Sequence, residues 1–156
     1  MSGVPRRPVK VSVGKSEMPF EPDIIISTPD GRLMVIEAKV AMNDLPGTEE
    51  ALKRYMVGMQ YPFGLLITPE KGWVYRDSYS SLFPASIQRV EEFDSLPIWR
   101  QNPPREPLEF EAFVQRWIED LADFPTQSLP PQLKDIVQGY VLPAIAAGNV
   151  RAAHPR

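Results

Sequence analysis

Asp23, Glu37 and Lys39 are the residues of this chain whose types and spacing suit chemistry together. Carboxylate oxygens with the backbone carbonyl of Ala38 beside them are hard ligands, of the kind that Mg²⁺ or, as its substitute, Mn²⁺ prefers. The Lys39 ammonium, two residues past Glu37, points at the same place. There it would position or activate an attacking water and stabilise charge developing on a phosphate. The bland alternative is a solvated Glu37–Lys39 pair on one strand face, with Asp23 merely starting a strand; such a pair contributes roughly a few tenths of a kcal/mol.

Whether the two acids meet depends on the segment between them. Thr28, Pro29, Asp30 and Gly31 read as a turn: proline presets φ at the first corner, aspartate bonds its own backbone and glycine accepts a positive φ. Apolar β-branched runs on both sides predict a β-hairpin. With Pro29, Asp30 and Gly31 as a three-residue loop and the glycine at a bulge, Thr28 faces Arg32, Ser27 faces Leu33, Ile25 faces Val35 and Asp23 faces Glu37. Alternation puts Asp23, Glu37 and Lys39 on one face behind Ile25, Leu33 and Val35, and Ile24, Ile26, Met34, Ile36, Ala38 and Val40 on the other. Directly opposed like charges repel by up to about 1 kcal/mol when exposed and more when desolvated. A divalent cation would offset that repulsion.

Pro22 and Asp23, then thirteen residues, then Glu37, Ala38 and Lys39 resemble the PD-(D/E)xK signature of the restriction-endonuclease-like nuclease superfamily. The resemblance runs from Glu21 to Arg76. It implies an α/β fold, a restriction-endonuclease-like core with a small mixed β-sheet flanked by helices. It also implies Asp23 and Glu37 as metal ligands, the Ala38 carbonyl as a further ligand, and Lys39 as the catalytic lysine. The chain departs from the family pattern in two places. The family commonly opens with a helix that donates another acid, whereas nothing before Asp23 reads as a helix, leaving Glu17 or Glu21 as substitutes. Many members also carry a glutamine four residues before a tyrosine in the next helix, where this chain has Ala51 before Tyr55.

That next helix begins after Leu45, Pro46 and Gly47, with Thr48 as N-cap, Glu49 and Glu50 at the positive end of the dipole, and Leu52, Tyr55, Met56 and Met59 as its apolar stripe. Lys53, Arg54 and Gln60 on it are weak candidates for nucleic-acid backbone contacts. Gly64 to Thr68 and Trp73 to Arg76 read as a second hairpin. The order strand, strand, helix, strand, strand matches the core that the resemblance implies.

The 156 residues are 43% hydrophobic with a net charge of -3, which suits a single domain and argues against strong autonomous binding to nucleic acid. No cysteine is present, and His154, in the basic tail 148–156, is the sole histidine, so thiolate sites, zinc hydrolases and Ser-His-Asp triads lose their central groups. There is no glycine-rich phosphate loop. Among enzyme mechanisms, carboxylate-held Mg²⁺ is what remains. No apolar run approaches a membrane span and no signal peptide is visible, which gives a cytoplasmic expectation.

Within the domain, 9–77 forms the nuclease-like core. Overlapping its start, Met1 to Met18 carries Arg6, Arg7, Lys10 and Lys15 around Val9, Val11 and Val13, an edge strand or extended arm that either touches DNA or is simply solvated. The stretch 78–107 is a Pro-rich connection wrapped over the core, where prolines prevent long regular elements. The part 108–147 holds two C-terminal amphipathic helices. Phe110, Phe113, Val114, Trp117, Ile118 and Leu121 form the first stripe, opposed by Glu111, Arg116, Glu119 and Asp120. Leu133, Ile136, Val137, Tyr140, Val141, Ala144 and Ile145 form the second, with Pro143 kinking it. These helices pair, close the fold, or make a homodimer or partner-subunit interface. Two functions follow: a Mg²⁺-dependent nuclease hydrolysing phosphodiester bonds in DNA, or a catalytically inactive binding or scaffold subunit of a nucleic-acid-processing or defence assembly.

Overall fold

The turn at residues 28–31 folds Ile24–Thr28 (β1) back on Gly31–Ala38 (β2) as an antiparallel hairpin. This is a computed structural model, and it describes residues 22–123, 126–146 and 150–152. The expected basic arm, with Arg6, Arg7, Val9, Lys10, Val11, Val13 and Lys15, lies outside those residues, as do Glu17, Glu21 and His154. The hairpin register is the expected one where it matters, with Ile25 opposite Val35 and Ile24 opposite Ile36. The loop differs. Thr28 faces Gly31 and Ser27 faces Arg32, so Pro29 and Asp30 alone form the corner, and the additional residue is Leu33. Gly31, at φ 149, sits where a side chain is strained.

Leu45–Met59 (α1) follows, and carries the chain from β2 to Phe63–Ile67 (β3), which pairs parallel to β2. A parallel pair needs such a crossover. The helix starts earlier than Thr48: Asp44 is the N-cap, its carboxylate accepting the Gly47 N–H at 3.1 Å, with Pro46 in the first turn. Glu49 is therefore inside the helix rather than at its start. Its carboxylate accepts the Tyr75 hydroxyl at 2.6 Å and the Arg89 guanidinium at 2.8 Å, tying α1 to the sheet. Of the expected stripe, Leu52 and Met56 are buried, whereas Met59 is exposed.

Lys71–Asp77 (β4) returns antiparallel to β3, and Ile87–Asp94 (β5) extends the sheet from inside the stretch expected to hold no long element. Prolines flank β5 but do not enter it. Pro107–Glu119 (α2), Pro131–Ile136 (α3), a π-helical turn Val137–Val141 and Leu142–Ala146 (α4) come next. The π turn sits just before Pro143, which lacks the N–H needed to continue a regular helix and clashes with the carbonyl four residues back. Val150–Ala152 (β6), in the expected tail, pairs antiparallel with β1. The mixed sheet runs β5-β4-β3-β2-β1-β6.

Alternation along these strands feeds two cores. Val35, Leu66, Trp73 and Tyr75 pack with Leu52 and Met56 under α1. Ile24, Ile26, Met34, Ile36, Ala38 and Leu65 pack with Phe110, Val114, Leu133 and Val141 on the other face, so the C-terminal helices close the fold. Leu33, freed from alternation by its bulge, joins this second core rather than the face of the acids. Burying both faces of the sheet is what an α/β domain requires.

Candidate metal centre

β2 supplies the frame. Residues 36 and 38 turn their backbone groups toward β1: the Asp23 N–H donates to the Ile36 carbonyl at 3.1 Å, and the Ala38 N–H donates to the Asp23 carboxylate at 2.7 Å. The N–H and C=O of one strand residue point the same way, so the Ala38 carbonyl also faces the Asp23 side. Lys39, the first residue past β2, is fixed from the opposite edge by its N–H bond to the Ile67 carbonyl at 2.9 Å. Backbone pairing thus clamps Asp23, Glu37 and Lys39 from both neighbouring strands.

The side chains converge on a cleft of about 250 Å³ lined by Asp23, Glu37, Ala38, Lys39 and Glu111. Glu37 is only 7% exposed, and its carboxylate is 3.2 Å from the Lys39 ammonium. Its Oε1 is buried with no hydrogen-bond partner. A buried carboxylate oxygen left unpaired is costly unless something cationic or protic meets it, and the Asp23 carboxyl, raised to about 7, is a protic neighbour below that pH.

Electrostatics agree with that strain. Burial first, and then the Glu37 charge, push the Asp23 carboxyl from the usual 3.8 up to about 7, against the lowering effect of the Ala38 N–H. Burial also raises Glu37, opposed chiefly by the Lys39 ammonium. Three carboxyl groups face one ammonium among the residues lining the cleft. Such a donor set fits a hard divalent cation held by Asp23, Glu37 and the Ala38 carbonyl. Among the described residues, no group of three or more His, Cys, Asp and Glu side chains is already gathered around a point that could hold a metal ion.

The three residues singled out by spacing are therefore brought together. Lys53, Arg54 and Gln60 are not part of this cleft. Arg54 pairs with Glu50 at 3.2 Å on the outer side of α1, and Gln60 takes the left-handed conformation that ends the helix. Glu111 is expected on the polar helix face opposite the α2 stripe. It lines the cleft instead, half-buried beside Asp23, whose carboxyl it helps to hold lower. Its position beside Phe110, at the edge of the α2 stripe, was the available signal.

Among the described residues, no helix is long and apolar enough to cross a membrane. In comparisons with known proteins, no family model, curated protein or solved structure matches this chain.

Proposed function

We propose that the protein is a Mg²⁺-dependent nuclease that hydrolyses phosphodiester bonds, in DNA by the PD-(D/E)xK resemblance, with Asp23, Glu37, Ala38 and Lys39 as its site. The observation carrying this reading is the convergence of Asp23, Glu37 and Lys39 on one cleft in which a buried Glu37 oxygen has no partner. When bound, Mg²⁺ would supply Lewis acidity toward a phosphate oxygen and lower the pKa of the attacking water.

The chain's own residues do the rest. Asp23 and Glu37 present fixed carboxylate oxygens, because one is bonded to the Ala38 N–H and the other is held beside Lys39. Lys39 keeps its ammonium at the mouth of the cleft, where it orients water and meets the charge that grows on the phosphate as water attacks and the bond to the leaving oxygen breaks. The carboxylates by themselves repel a phosphate, so a polyanionic substrate enters only after their charge is offset. Cytoplasmic location and a homodimer or partner subunit that selects the target belong to the same proposal.

Cleavage of supercoiled plasmid DNA with Mg²⁺, comparing wild type with Asp23→Ala and Lys39→Ala, tests the reading. Activity in the wild type alone supports it; activity retained in both variants, or absent from the wild type throughout, overturns it. A second reading, a non-catalytic nuclease-fold scaffold, is favoured by the lack of a ready-made cluster of three metal-ligating side chains among the described residues.

A further inference from the structure

The helix that follows the sheet reaches back to the acids. α2 begins at Pro107, with Glu106 as its N-cap, and its first turns lie over the end of β2, so that Pro107 and Glu111 form one wall of the cleft whose other wall is Asp23, Glu37 and Lys39. Phe110, fully buried, and Val114, one helical turn on, anchor α2 in the core and fix the direction in which Glu111 projects. The Glu111 charge so placed pushes the Glu37 carboxyl up, a repulsion that a shared cation relieves. Independently, the Glu37 Oε1 atom, in a side chain 10% exposed whose other oxygen pairs with Lys39, has no hydrogen-bond partner on the same cleft.

We propose that Glu111 is a third carboxylate ligand of the divalent cation held at Asp23 and Glu37, so that the cation ties α2 to the β1–β2 hairpin. This rests on the cation reading of Asp23 and Glu37 and extends it to the C-terminal part of the fold. Among the described residues no three carboxyl groups stand as a ready-made ligand set, so Glu111, already beside Asp23, must turn its rotatable side chain for all three to meet one cation. The acid then comes from a helix after the sheet, not from one before Asp23, and cation binding couples to the docking of α2.

Calorimetric titration of the full chain with Mn²⁺ alone, together with thermal melts with and without Mn²⁺, tests this in wild type, Asp23→Asn, Glu111→Gln and the exposed control Glu109→Gln. The expected results are saturable binding in wild type and in Glu109→Gln, none in Asp23→Asn, and affinity at least ten-fold weaker in Glu111→Gln. The Mn²⁺-induced rise in melting temperature, measured against each variant's own metal-free value, should shrink in Glu111→Gln alongside the affinity. A purely structural Glu111 would change the metal-free melt and leave that rise intact, which overturns the proposal. Affinity of Glu111→Gln within two-fold of wild type, with Asp23→Asn inactive in binding, also overturns it while the Asp23 and Glu37 reading stands. Absence of Mn²⁺ binding in wild type overturns both. Should Glu111→Gln fail to fold, Glu111→Asp, which keeps the charge and shortens its reach, must still bind Mn²⁺ more weakly than wild type; equal affinity overturns the proposal.

Discussion

The Asp23 carboxylate accepts the Ala38 N–H at 2.7 Å, so the acid is tethered to the strand that carries Glu37 rather than swinging into solvent. This bond holds one carboxyl beside another that is almost wholly buried. The consequences of that arrangement are measurable in the metal-free protein as well as in the loaded one.

The first concerns pH. Asp23 has its carboxyl raised to about 7, so between about pH 4 and pH 7 the folded chain holds a proton that the unfolded chain has released. Stability of the metal-free protein therefore falls as pH rises through that window and levels off above it, and the raised Glu37 adds in the same direction. Partial exposure of Asp23 limits the effect to on the order of 2 kcal/mol. Denaturant titrations at pH 5 and pH 8 should show the loss, and Asp23→Asn should abolish most of it.

Lys39 separates stability from activity. Its side chain is 40% exposed, so Lys39→Ala should change folding stability by less than about 1 kcal/mol. Loss of the ammonium that chiefly opposes the rise in Glu37 should raise that carboxyl further, which carboxyl NMR titration reads directly. Cleavage should fall by about 100-fold or more. Unchanged cleavage would remove Lys39 from the site.

Glu91 caps a helix across 40 residues of chain. Its carboxylate accepts the Gln132 and Leu133 N–H groups at 3.2 and 3.0 Å, at the start of α3, where Pro130 offers no side-chain cap. Glu91→Ala should cost about 1 to 2 kcal/mol in a denaturant melt. A neutral substitution would mean that water replaces both bonds.

A side chain at Gly72 has no room. An added Cβ would stand 2.2 Å from the Phe93 ring, itself part of the core, so the ring or the β4–β5 pairing must shift. Gly72→Ala should destabilise by about 1 to 3 kcal/mol by equilibrium unfolding.

These elements differ in how plainly the sequence shows them. The hairpin was legible because Pro29, Asp30 and Gly31 mark a corner and the flanking runs alternate, and β3 and β4 because an apolar run returns after a turn. A bulge at Gly31 and one at Leu33 yield the same pairing at Ile24 and Ile25, so the pattern of the acids does not distinguish them. β5 was hidden for a related reason. Its inward residues Ile87 and Phe93 and half-buried Val90 recur every third position, since a bulge at Val90 breaks the two-residue period. β6, three residues long, is too short to carry a pattern. In the site, Asp23, Glu37 and Lys39 lie close in sequence and were found by spacing; Glu111 arrives through tertiary packing of α2, which local pattern does not encode.

The central claim is that a cation reconciles the two opposed acids, and Mn²⁺ soaked into a crystal of the full chain tests it most directly. The account predicts one anomalous peak within about 2.5 Å of carboxylate oxygens of Asp23 and Glu37 and of the Ala38 carbonyl. A crystal saturated with Mn²⁺ that shows no peak there, or shows one only elsewhere on the surface, would contradict it.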